Sequence, residues 1–132
     1  MEVVVASSQD ENGQQQEFQY LVSSKGPVIV VTFVGELKSN CLEKLEACQS
    51  EVLNHESAKY FLLYMRDVPN ITADVNIFFT QFQKNIRSKG HLRLCSVAPV
   101  LREKLTKLGI IRNLEVVNNL QIALKEITET LK

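Results

Sequence analysis

Apolar positions along this chain recur with two alternating periods. Phe18-Gln19-Tyr20-Leu21-Val22 alternates briefly, Lys25-Gly26-Pro27 reads as a turn, and Val28-Ile29-Val30-Val31-Thr32-Phe33-Val34 is almost wholly β-branched or aromatic. Two strands joined as a hairpin are expected. The second run is nearly free of polar residues, which predicts a central strand buried on both faces. After Gly35-Glu36-Leu37 the period lengthens. Cys41, Leu45, Cys48 and Val52, widened by Leu42 and Leu53, form a helical stripe for which Ser39 or Asn40 is the candidate N-cap. Tyr60-Phe61-Leu62-Leu63-Tyr64-Met65 is short and apolar between polar loops and reads as a buried strand. Val75, Phe78, Phe79, Phe82 and Ile86 then repeat at three- and four-residue intervals, the clearest helix in the chain, closed by Ser88-Lys89-Gly90. Leu92-Arg93-Leu94-Cys95-Ser96-Val97 resumes alternation. Pro99 suits the first turn of a helix carrying Leu101, Leu105 and Leu108 and stopping at Gly109. Asn113 to Val117 makes a short last strand. Asn118 or Asn119 can cap a closing helix with Leu120, Ala123, Leu124, Ile127 and Leu131 inward.

The predicted order is β-β-α-β-α-β-α-β-α. Strands separated by helices demand parallel crossover units, so an antiparallel hairpin followed by such units gives an α/β fold, a mixed sheet flanked by helices. Residues 1–16 are expected to be a flexible polar leader, since Ser7 to Gln16 hold no apolar side chain large enough to offset the entropy of ordering. Residues 17–132 are expected to form a single domain, and 132 residues suffice for one core.

Composition narrows the function mainly by exclusion. Acidic and basic residues balance at 15 each, so no global field draws the chain to nucleic acid or anionic lipid. No signal-like or membrane-spanning apolar stretch is present, and a cytoplasmic protein without direct membrane insertion is expected. Cys41, Cys48 and Cys95 lack metal-site spacing and read as reduced, buried thiols, while His55 and His91 stand alone. The five glycines form no phosphate-binding loop, and no nucleophile elbow occurs. The chain is therefore read as a non-enzyme with no cofactor and no metal.

What remains is the turn Asp67-Val68-Pro69-Asn70-Ile71-Thr72-Ala73-Asp74-Val75, which joins a buried strand to the clearest helix. Such a turn aims unpaired N–H groups and the positive end of the helix dipole outward. A structural account is sufficient for its residues. Thr72 or Asn70 caps the helix, and Asp74 in the first turn gains ~0.3–1 kcal/mol from the dipole. That account does not preclude a partner facing the same place.

The chain resembles the STAS family, the domains shared by anti-sigma-factor antagonists (anti-anti-sigma factors) and the cytoplasmic tails of sulfate transporters. The resemblance spans about Phe18 to Leu131. It rests on Gly35-Glu36-Leu37, on Asp67-Val68-Pro69 with Ile71, on Val97-Ala98-Pro99-Val100, and on Leu108-Gly109-Ile110 with Ala123-Leu124. It implies the STAS-like, or SpoIIaa-like, fold and a module that binds a protein partner without catalysis. Regulated members of the family read Asp-Ser-Ser-Gly at the second helix, where a kinase-like anti-sigma partner phosphorylates the second serine. That stretch falls on Thr72-Ala73-Asp74-Val75, so Asp74 is the phosphosite equivalent; a register two residues along would place Asn76 there instead, and neither carries a hydroxyl. Lys38 stands where an acid often follows Gly-Glu-Leu, and Val75 where the family has glycine. Under this resemblance Asn70, Thr72, Ala73, Val75, Asn76 and Lys38 are the expected partner-binding residues around Asp74.

Two functions are implied. The first is an anti-sigma-antagonist type regulator of transcription that binds an anti-sigma or serine-kinase-like protein. The second is an accessory subunit of a membrane lipid or anion transporter. A small ligand seated between the loop after Gly35 and the second helix is a third reading, and self-association to a homodimer is left open.

Overall fold

The computed structural model describes residues 17–131, so the expected leader lies outside the described residues. Strands β1 (Gln19–Lys25) and β2 (Val28–Val34) form the expected hairpin, paired antiparallel from Gln19↔Val34 to Lys25↔Val28. They are followed by α1 (Leu42–Leu53), β3 (Tyr60–Asp67), α2 (Ala73–Arg87), β4 (His91–Cys95), α3 (Pro99–Lys107), β5 (Val116–Val117) and α4 (Leu120–Leu131). The five strands lie in chain order, β1-β2-β3-β4-β5, with every pair after the hairpin parallel. The predicted α/β element order and mixed sheet are both present.

Strand alternation sends side chains to two unequal faces. On the front, Ile29, Val31 and Phe33 of β2, Phe61 and Leu63 of β3, and Leu92 and Leu94 of β4 meet α1, α2 and α3 in one large core. Leu45, Cys48 and Val52 enter from α1, Val75, Phe79, Phe82 and Ile86 from α2, and Leu101 and Leu105 from α3. On the back, Leu62 and Cys95 are covered by Ala123 and Ile127 of α4, with Val28, Val30, Tyr60 and Tyr64 only partly buried beside them.

Two expectations need correction, and the choice of cap for α4 is resolved. β2 is fully buried on one face only, because α4 packs over β3, β4 and β5; the strand buried on both faces is β3, where Phe61, Leu62 and Leu63 are consecutive core residues. Neither Ser39 nor Asn40 caps α1. Both lie in a short 3-10 turn, Ser39–Cys41, that runs into the helix and does the job of a cap by backbone bonding. Asn118 does not cap α4 but Asn119 does: the Ile122 N–H donates to Asn119 Oδ1 at 2.9 Å. The side chain of Leu131 lies outside the described residues.

Candidate functional site: the start of the second helix

The loops after β2 and β3 are zipped together at the carboxyl edge of the sheet. Gly35 N–H donates to Asp67 O at 2.9 Å, Leu37 N–H to Asn70 O at 3.0 Å, and Thr72 N–H to Leu37 O at 2.9 Å. Gly35 has φ +100°, and a Cβ there would sit 3.1 Å from the Phe18 backbone, so the Gly-Glu-Leu turn admits only glycine without strain. Leu37 and Ile71, which bridge the two loops, are fully buried. The seam between the loop after Gly35 and the helix start is thus closed by backbone bonds and apolar packing.

Side chains lock the zipper. Asn70 Nδ2 donates to Glu36 Oε2 at 3.0 Å, while Lys104 Nζ of α3 donates to Asn70 Oδ1 at 2.8 Å and to Ile71 O at 3.2 Å. Lys38 lies 4.0 Å from the other Glu36 oxygen. Asn70 is therefore a clamp between three elements and not a helix cap. Glu36 and Lys104 belong to this assembly although sequence reasoning assigned them no role: Glu36 lay within a quoted motif, whereas Lys104 gave no signal at all.

Helix α2 begins at Ala73, with Thr72 in the N-cap position at φ −77° and ψ 160°. The Thr72 hydroxyl makes no cap hydrogen bond to the helix backbone. Its Oγ1 lies 2.5 Å from Asp74 Oδ1 and 3.3 Å from Leu37 O, and with one proton to give it donates to the charged oxygen. The Val75 N–H is instead taken by Thr72 O at 3.0 Å. Asp74 is exposed at the second helical position, next to the positive dipole end, and its carboxylate is held in place by Thr72.

The expected partner-binding residues separate into three groups. Ala73 and Asp74 are exposed, and one turn on, Ile77 is 80% exposed, extending their outward stripe. Asn70, Thr72 and Lys38 are partly buried and engaged as described. Val75 is 0% exposed and belongs to the core, because the third helical position of α2 faces the sheet; it supports the surface from beneath and cannot line it. Asn76 turns inward far enough to bury its Oδ1, which has no hydrogen-bond partner among the described residues. Of the two candidate positions, Asp74 is exposed and Asn76 is partly buried.

The three cysteines are buried, as expected of core thiols. Burial pushes the Cys41 thiol up, and the nearby Asp74 carboxylate adds to that. Among the described residues no group of His, Cys, Asp or Glu could hold a metal ion, and no helix is long and apolar enough to cross a membrane.

Known proteins share this fold. A family model described as the STAS domain matches residues 20–123. Among solved structures, an anti-sigma factor antagonist from Mycobacterium paratuberculosis superposes with TM-score 0.72 at 15% identity, over 85% of this chain and 95% of that one. The anti-sigma factor antagonist SpoIIAA in its unphosphorylated form gives 0.68 at 13% identity over 86% and 97%. A sulfate transporter family protein from Wolinella succinogenes gives 0.69 at 24% identity over 80% and 88%. A comparison with curated protein sequences gives no significant match. These likenesses establish the fold, and the family model, covering most of the chain with the motifs and the zippered loops inside it, establishes that the chain belongs to the STAS domain family.

Proposed function

We propose that this STAS domain is a non-catalytic docking module of the anti-sigma-antagonist type, acting on transcription through a kinase-like anti-sigma partner. Its contact is centred on the start of α2. The observation that supports this reading is Asp74, an exposed carboxylate held by Thr72 in the first turn of α2; the family resemblance aligns it with the serine that regulated members phosphorylate. A carboxylate carries one charge and two acceptor oxygens, against about 1.5 to 2 charges and three oxygens for phosphoserine. It reproduces the modified state only in part and cannot be switched. The module is accordingly constitutive, with Ala73, Asp74 and Ile77 as the exposed contact and Lys38 at its margin.

The test is affinity capture from the source cells with the wild type, Asp74→Arg and Ile77→Glu, followed by titration of the recovered partner. Recovery of a kinase-like anti-sigma protein whose affinity falls at least about ten-fold in both variants is expected, each losing interactions worth ~1.4 kcal/mol or more. Equal affinity in both variants removes this surface as the contact. Co-purification with a membrane permease and an ATPase would instead select the transporter-subunit reading, for which the sulfate transporter relative provides precedent of fold.

A further inference from the structure

A cleft lies away from Asp74, on the other flank of α3. It has a volume of about 740 Å³, and its walls come from the segment after β4, from one side of α3, and from β5 with the residue that follows it. Its position is dictated by topology. The chain leaves β4 toward the front, where Leu101 and Leu105 of α3 join the main core, and leaves β5 toward the back, where Ala123 and Ile127 of α4 cover the sheet. Where two neighbouring parallel strands send their connections to opposite faces, a crevice opens beyond their carboxyl ends, the usual ligand position in open α/β sheets. Its volume falls within the ~300–1,000 Å³ of small-molecule sites.

The lining has an apolar floor and a cationic rim. Val97, Pro99, Val116 and Val117 supply the floor; Arg66, Arg102 and Lys107 supply charge. Lys107 is answered by Glu103 at 3.4 Å, and Arg66, on the exposed rim, by Asp67 at 3.6 Å. Among the described residues no acid answers Arg102 in this way: its Nε and Nη2 both donate to Asn113 Oδ1, at 3.1 and 2.8 Å. A neutral amide orients the guanidinium without cancelling its charge, leaving Nη1 for a ligand. The N-terminal end of α3 opens on the same cleft, with Pro99 in its first turn, and contributes the positive end of its dipole. The two lips are tied by Ser96, whose N–H donates to Val117 O at 3.1 Å and whose hydroxyl lies 3.3 Å from Asn118 O. Ser96 holds φ +60°, the one non-glycine residue at positive φ among those described, so this tie is maintained against backbone preference.

We propose that this cleft binds a small amphipathic anion: a carboxylate or phosphate-monoester head against Arg102 and Arg66, with an apolar body on the valine floor. The inference is independent of the docking face.

Titration of the whole protein followed by amide NMR, with hexanoate and hexyl phosphate as probes, tests it. Both source chemistries share the anionic head, and their relative affinities show which is preferred. Saturable shifts at Ser96, Val117 and Asn118 are expected with at least one probe. Arg102→Gln should weaken binding by roughly ten-fold, the worth of one charge-assisted hydrogen bond, and Arg66→Gln by a smaller factor. Hexylammonium should leave these amides unshifted. Absence of saturable shifts with both anions overturns the proposal, as does equal binding of hexylammonium. So does undiminished binding in both arginine variants. Arg66 is largely exposed, so its variant keeps the test decisive should Arg102→Gln unfold.

Discussion

The two faces of the sheet are covered by very different amounts of structure, and the difference assigns separate tasks to them. On the front, three helices seal a core with a run of aromatic contacts: Phe18 to Phe33 at 5.4 Å, Phe33 to Phe82 at 6.1 Å and Phe82 to Phe79 at 6.4 Å between ring centroids. On the back, α4 is the one element among the described residues that covers the sheet, leaving a cleft of about 530 Å³ against Val28 and Val30 on one flank and a smaller one of about 160 Å³ against Tyr60 and His91 on the other. Stability is concentrated in front. That is also the side from which α2 and α3 hold the loops at the carboxyl edge, so the proposed docking face is built on the more fully packed side of the sheet and α4 lies on the less covered side.

The strongest way to break this comparison is to empty each face in turn. Phe82→Ala removes a fully buried ring from the junction of β2 and α2 and should cost ~3–5 kcal/mol. Ile127→Ala, beneath α4 and bordered by clefts into which neighbours can relax, should cost about 2 kcal/mol, the low end for a buried isoleucine. Urea unfolding at constant m-value gives both numbers. Equal losses would mean that the back face bears as much of the fold as the front.

The thiols sharpen the contrast. Burial pushes Cys95, under α4, up to about 12 from an ordinary 9.0, with Glu126 adding to the shift and Arg93 opposing it. Cys48, in the front core, is pushed up as well, by burial first and by Glu51 second. Above pH 9 the unfolded chain releases protons that the folded chain keeps. The stabilisation is fully present below about pH 9 and is lost as pH rises toward 12, at up to about 1.4 kcal/mol per pH unit for each thiol. Cys95→Ala should flatten that decline relative to the wild type. At neutral pH, thiol reagents should modify Cys95 faster than Cys48, since lifting α4 suffices to reach the first and only global unfolding reaches the second. Identical rates for the two would show that α4 opens no earlier than the rest.

Periodicity made the elements and their order legible, because strands and helices here bury their faces at periods of two and 3.6 that a sequence displays directly. The first-turn position of Asp74 was legible for the same reason, because Val75 opens the apolar stripe that marks the helix and Asp74 immediately precedes it. What sequence could not display were contacts between distant residues. Asn70 reads as a cap and is in fact clamped by Glu36 and Lys104, each 34 residues away. Gln83 reads as a surface residue of α2 but is fully buried. Its Nε2 donates to Ile110 O at 2.9 Å, and Arg87 one turn on forms a two-pronged pair with Glu115. Gly90 reads as part of a helix stop, yet its need is space, since a Cβ there would meet Lys59 O at 2.3 Å. The cleft was invisible because its charge and floor come from β3, α3 and β5, which only the sheet order brings together.

The smallest effect tests the comparison most cleanly. Asn119 closes the first turn of α4 by accepting the Ile122 N–H, and a twelve-residue helix standing on its own is marginal in water. Asn119→Ala removes that acceptor from an exposed position without touching the core, so about 1 kcal/mol should be lost. If α4 is an independently opening unit, the loss falls on it alone: its amides should exchange roughly five-fold faster while those of α2 keep their protection. The cap then controls the local equilibrium and leaves the front core unaffected. Were the α2 amides to accelerate by the same factor, α4 would open only together with the whole fold. The two faces would then share one cooperative transition, and the faster labelling expected of Cys95 would lose its basis.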